Sequence, residues 1–286
     1  MKAAPKTLWR SFRTASWLGW QIEANWAKPL LFALYSIIKP LTLAGILVVI
    51  YATVKRGNFT SPVFACMYLG NAFYMYVGAV MTGMAYAVID DRERYQTLRS
   101  IYVAPVDVRW YLAGRGVARF LTGSASVLVT IVFGVLFLHL PIYPLAVNWP
   151  LFLATLTTGV VMLAMMGLTL AGIVLLLPHQ SWSMGEAVAG ALYLFSGAIF
   201  PLDVLPRVLR PIGFAMPVTY WLELLRRSLV GPAASAFPTF SRLSDLRLLG
   251  ILVGLTLTLG VIALAMFRWC DSAARERGLI DRTTAY

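Results

Sequence analysis

Pro150-LFLATLTTGVVMLAMMGLTLAGIVLL-Leu177 contains no charged residue. About 20 apolar residues in a helix cross the ~30 Å hydrocarbon core of a bilayer, so this stretch is long enough to span one. Five further stretches read the same way: Leu30–Val54, Pro62–Ile89, Tyr111–Leu138, Glu186–Pro201 and Leu246–Phe267. The chain is therefore expected to be all-α and polytopic, with six transmembrane helices within residues 30–267. The fifth stretch is short. A broken apolar region follows it, Leu205–Val230, interrupted by Pro206, Pro211 and Pro217 and closed by Gly231-Pro232. Two short re-entrant helices within 203–245 fit this pattern better than another span, because irregular backbone at membrane depth needs cover from protein or a watery cavity.

Composition supports the bilayer as solvent. The 286 residues are 59% hydrophobic and 13% charged, with a mean hydropathy of +0.75, against about 25% charged in a soluble domain. The net charge of +12 is scattered over spans and flanks rather than gathered on one face, which argues against a nucleic-acid partner. Cys66 and Cys270 lie far apart and form neither a disulfide framework nor a metal motif. The N-terminus has no cleavable signal pattern.

Lys and Arg in short flanks set the orientation. Lys2, Lys6, Arg10, Arg13 and Lys28 precede the first span, Arg92, Arg94, Arg99 and Arg109 lie between the second and third, and Arg268, Arg275, Arg277 and Arg282 follow the last. The loop His139–Trp149 has neither Lys nor Arg. Both termini and the charged loop 90–110 are thus expected on the cytoplasmic side of the plasma membrane, with 268–286 as a tail. Arg207, Arg210, Arg226, Arg227 and Arg242 fit this assignment least well. A seventh span would place the basic tail outside, which argues against one.

Residues 1–29 form a separate element. Leu8, Phe12, Ala15, Gly19, Ile22 and Trp26 fall on one stripe at helical spacing, Lys6, Arg10, Arg13 and Lys28 lie opposite, and Trp9, Trp17 and Trp20 flank the two. This is the pattern of an amphipathic helix in the cytoplasmic interface, facing membrane lipids. It serves either as an anchor or also as a contact for a cytoplasmic partner.

Few residues carry a chemical signature. Ionisable groups within a bilayer are functional candidates, and Lys39, Asp203, Glu223 and Glu186 are the ones here. Lys39 beside Pro40 also reads as a snorkelling lysine, Glu186 as a helix N-terminal carboxylate, and Glu223 as the partner of Arg226 or Arg227 one turn on. His139 and His179 fall on opposite sides and cannot share a metal. No HExxH, GxSxG or GxxxxGK[ST] occurs, so no catalytic residue, metal or cofactor is assigned to this chain. In the second stretch, Asn71, Tyr74 and Met75 lie among several Met and aromatic residues. They read either as helix packing, with Asn71 as interhelical glue, or as one wall of a path for an amphipathic substrate.

Two passages resemble the type-2 permease family of ATP-binding-cassette exporters. The first is Asp91-Arg92-Glu93-Arg94-Tyr95-Gln96-Thr97-Leu98, followed by Ala104-Pro105 and Gly114-Arg115, with Gln96 where the family carries glycine. The second is Phe195-Ser196-Gly197-Ala198-Ile199-Phe200-Pro201, then Leu205-Pro206, then Met216-Pro217-Val218-Thr219-Tyr220, then Glu223-Leu224-Leu225-Arg226. Met216 stands there in place of the family's Asn. The resemblance implies a transport subunit without its own ATPase site. It also implies a second permease subunit, identical or paralogous, and a separate ATP-binding-cassette ATPase subunit that holds the ATP. The coupling element would comprise Arg92, Glu93, Arg94, Thr97, Pro105, Val106, Asp107, Arg109 and Trp110, with Val106–Trp110 at its tip and Glu93, Arg94 and Thr97 facing the partner. Pro201, Asp203, Pro217, Glu223 and Arg226 would belong to the re-entrant region. The expected cargo is an amphipathic drug-like molecule or lipid, or else a lipid-linked polysaccharide. The rival expectation is an intramembrane enzyme or membrane-assembly scaffold with no ATPase partner.

Overall fold

The computed structural model describes residues 5–24, 28–55, 59–104, 106–177 and 181–280. All regular structure among them is helical. The helices are α1 (Pro5–Ala24), α2 (Pro29–Lys55), α3 (Pro62–Arg94), α4 (Leu98–Val103), α5 (Val108–Phe137), α6 (Trp149–Leu176), α7 (Ser181–Phe195), α8 (Arg210–Ala215), α9 (Pro217–Val230) and α10 (Asp245–Glu276). Five of these are long and apolar enough to cross a membrane: α2, α3, α5, α6 and α10. Without water to satisfy backbone N–H and C=O groups, a spanning chain must pair them internally, and a helix does so within one segment.

Local sequence sets the ends. Proline opens α2, α3 and α9 and follows Trp149 in α6, where its missing N–H has no intrahelical role. The Asn148 side chain accepts from the Leu151 N–H at 3.2 Å and caps α6. Gly231 ends α9 at a φ of 52°.

α3 is the hub. Of its apolar stretch 78% is buried, against 22% in α2, α5 and α10, so α3 is enclosed by protein while those three turn wide apolar faces outward. Along α3 the i→i+4 ladder gives way to π-helix at Val77–Thr82 and again at Asp90–Arg94. Each π-turn re-aims the residues after it and is a common mark of functional positions. Tyr68 of α3 donates to the Thr130 carbonyl of α5 at 2.8 Å. α6 packs beside α3, and α10 runs along α6, with Gly172 against Phe267 and Cys270.

Three departures from the sequence reading stand out. The expected fifth span Glu186–Pro201 is α7, 15 residues ending at Phe195. At ~1.5 Å per residue it measures about 22 Å, short of the hydrocarbon core. Helix α3 continues past Ile89 to Arg94, and α10 continues past Phe267 to Glu276, because charged residues beyond the apolar run still favour helix. The arginines between α7 and α10 are largely engaged inside the chain. Arg210 donates to the Leu205 carbonyl at 2.9 Å, Arg226 is buried, and Arg227 bonds Glu223, the pair the one-turn spacing predicted, and beyond it Phe240, Leu243 and Asp245. Lys2, Trp26, His179 and Arg282 lie outside the described residues.

Candidate functional site: an exposed short helix on buried anchors

Short helix α4 has two sides. Leu98, Ile101 and Tyr102 turn inward, while Arg99, Ser100 and Val103 are exposed, Val103 at 81%. Spacings of three and four residues put each set on one face. The turn before α4 closes with Tyr95 N–H donating to the Asp90 carbonyl and Thr97 N–H to the Asp91 carbonyl, both at 2.8 Å. That turn requires a φ of 52° at Gln96.

Beneath the turn lies a buried ionic cluster. Arg115 Nη1 donates to Asp91 Oδ1 at 3.1 Å, and the Tyr111 hydroxyl donates to Asp91 Oδ2 at 2.8 Å. Arg115 also donates to the Tyr111 oxygen at 3.0 Å. A carboxylate and guanidinium removed from water are tolerated only with such pairing. The first family-like passage thus closes on itself, its acidic start bonded to its Gly-Arg end. Gly114 has a separate role: a Cβ there would stand 2.6 Å from the Phe12 carbonyl and 2.7 Å from Ala15 Cβ. α1 therefore packs directly on α5 through Phe12, Ala15 and Gly19. Glu23 on α1 pairs with Arg119 on α5 at 2.9 Å. Burial raises the pKa of the Glu23 carboxyl, against the opposing pull of Arg119 and Arg115.

The residues expected to meet the partner divide. Arg92 does not lie on the surface: it is 2% exposed, with Nε on Glu93 at 2.8 Å and Nη1 on the Val174 carbonyl at 3.2 Å. The π-turn winds it inward, where the terminal carbonyls of α6 need donors and attract a cation. Glu93 follows it, its side chain 7% exposed. Arg94 and Thr97 are exposed, with Arg94 over the Tyr95 ring at 5.5 Å. Pro105 lies outside the described residues. Val106 is half-buried. Asp107 caps α5 by accepting from the Arg109 N–H at 3.0 Å, and Arg109 Nη2 donates to its Oδ2 at 2.7 Å. Partial burial alone would raise the Asp107 pKa, but the Arg109 guanidinium and the helix N–H groups outweigh it and lower it. Trp110 is exposed and sets its ring edge-on to Phe12.

One contact was not legible in the sequence. The Tyr102 hydroxyl donates to Asp271 Oδ1 on α10 at 2.7 Å, with Arg275 over its ring at 4.8 Å. α4 is thereby tied to the last helix across 169 residues of chain, and neither partner belongs to a local motif.

At the other end of the bundle a third buried arginine organises the loops. Arg226 Nε donates to the Cys66 carbonyl at 2.9 Å, and Nη2 to the Gly197 and Ala198 carbonyls at 2.7 and 2.8 Å. Its guanidinium also stacks over Phe237 at 4.5 Å. Gly70 lets this happen, since a Cβ there would collide with Ala198 and Arg226. Glu223 pairs with Arg227 at 2.9 Å and stands 3.9 Å from Arg226. The Thr219 hydroxyl donates to the Gly213 carbonyl at 2.8 Å. The second passage therefore also closes on itself. Pro217 opens α9, Pro201 precedes a 3₁₀ turn, and exposed Asp203 accepts from the Thr239 hydroxyl at 2.7 Å.

Asn71, Tyr74 and Met75 sit where α3 meets α7 and α5. Asn71 Oδ1 accepts from the Tyr193 hydroxyl at 2.6 Å, Tyr74 donates to the Ala189 carbonyl, and the Thr130 hydroxyl approaches Met75 sulfur at 3.7 Å. Tyr74 and Met75 are half-buried and Gly78, one turn on, is exposed. Lys39 is exposed on α2.

These features define a multi-pass membrane protein with a rigidly held, partly charged projection at one end. A family profile described as ABC-2 type transporter matches residues 11–230, and the chain belongs to that family. It is an ABC transporter permease, a membrane subunit of transport. A comparison with curated proteins gave no match.

Proposed function

We propose that this chain is the permease of an exporter whose ATP is bound and hydrolysed by a separate subunit docked on α4. Two permease subunits, identical or paralogous, enclose the path. Both termini and α4 face the cytoplasm, α1 lies in the interface, α7 completes a sixth crossing only together with the segment 196–201 that follows it, and α8 and α9 dip in from the far side. The observation that carries the reading is that α4 is clamped on its inner side by Leu98, Ile101 and Tyr102–Asp271 while its outer side is exposed. A lever must be rigid toward the helices it moves and open toward the subunit that moves it, because a ligand shifts an equilibrium only through its differential affinity for the two states. Docking surfaces then centre on Arg94, Thr97, Val103 and Trp110. Arg92 serves as an internal strut. The cargo is an amphipathic small molecule or lipid, or a lipid-linked polysaccharide. An intramembrane enzyme or a scaffold is not favoured by the family match.

The test is co-purification of the tagged chain from its native host in mild detergent. A stoichiometric ATP-binding subunit is expected, lost or weakened in Arg94→Glu while membrane insertion persists. Recovery of the chain alone, under conditions that preserve other complexes, rejects the reading.

A further inference from the structure

Between α1 and the segment from Tyr95 to Tyr111 runs a cleft of about 750 Å3, within the ~300–1,000 Å3 typical of ligand pockets. Its walls are largely apolar: Ala15, Leu18 and Ile22 on one side, Ile101 and Val106 on the other. Asp91 and Tyr111 line it too, but the Asp91 carboxylate is neutralised by Arg115 and both its oxygens accept hydrogen bonds. Exposed residues line the cleft as well: Arg10, with no ion-pair partner among the described residues, and the hydroxyls of Thr14, Thr97 and Ser100.

We propose that this cleft binds one anionic membrane lipid. Its acyl chain lies along the apolar walls and its phosphate meets Arg10 and the hydroxyls of Thr14 and Ser100, while Thr97 at the rim stays with the docking surface. Charge complementarity selects the occupant, since an apolar slot bearing one unpaired guanidinium matches a molecule with an apolar chain and a negative head. The flanking Trp9, Trp17 and Trp20 are 63%, 62% and 41% exposed, as aromatic side chains at headgroup depth are. The bound lipid would wedge α1 against α4 and so set the position of the projection. The inference rests on α1 lying at the membrane interface, and its test needs no ATPase subunit.

The purified chain is titrated in detergent with phosphatidylglycerol or phosphatidylcholine, and retained lipid is counted by native mass spectrometry. Preference for phosphatidylglycerol is expected. Arg10→Gln should lower it about fivefold, the usual weight of one basic residue near anionic headgroups, and Arg10→Lys should keep it. Thr14→Phe, filling the cleft from an exposed position, should lower retention of both lipids. Arg207→Gln, an exposed position outside the cleft, should change nothing. Equal retention of the two lipids, an unaltered Thr14→Phe, or an equal loss in Arg207→Gln would overturn the proposal.

Discussion

Gln96 adopts a φ of 52°, where a side chain is strained and glycine is not. The turn needs that angle so that Tyr95 and Thr97 can donate back to Asp90 and Asp91. The glycine usual in the family thus has a conformational cause, and this chain tolerates its loss. Gln96→Gly should raise stability by about 0.5–1 kcal/mol, since relieved strain exceeds the added unfolded-state freedom. Thermal unfolding in detergent checks this, and a lower midpoint refutes it. The three buried arginines follow a different logic. Arg92, Arg115 and Arg226 are held by carboxylate, hydroxyl or carbonyl oxygens, in each case including one from a distant position. Removing a partner would leave a charge unpaired in a medium that penalises it.

At the scale of the helix, α5 begins where it does because Asp107 accepts from its first turn. Asp107→Ala should cost about 1 kcal/mol, as for other N-caps. The sign with pH follows from the lowered pKa: the contribution is present above the ordinary value of 3.8 and is lost as pH falls through the folded value below it. The gap between wild type and variant in thermal midpoint should therefore be full near neutrality and shrink below about pH 4. A gap independent of pH would refute the assignment. Helix α4 is too short to persist alone, since helices under about 12 residues are marginal in water. Its order comes from Leu98, Ile101 and Tyr102 against the bundle.

Across the whole molecule, the Tyr102–Asp271 bond joins the proposed lever to α10. Tyr102→Phe and Asp271→Asn should each destabilise by about 1.5–3 kcal/mol, as for hydrogen bonds to charged groups. Together they should be clearly less than additive, because they remove one shared interaction. Additive effects in a double-mutant cycle would show the two sites to be independent. In the proposed complex with an ATP-binding subunit, Tyr102→Phe should retain binding while weakening substrate stimulation.

The sequence by itself determined a helical membrane protein. Long apolar runs leave the backbone no other way to satisfy its hydrogen bonds, and proline and glycine mark where helices start and stop. It also disclosed the two passages that carry the family, because their residues lie close together along the chain. Only the tertiary structure decided which members of those passages face outward. Arg92 and Arg94 are two residues apart in one charged string, yet a π-turn buries the first and exposes the second. Hydropathy could not separate them, since burial of a charge depends on carbonyls and carboxylates supplied from elsewhere in the chain. The cleft beside α1 and the tie from α4 to α10 were invisible for the same reason: each joins residues distant in sequence, and only packing brings them together.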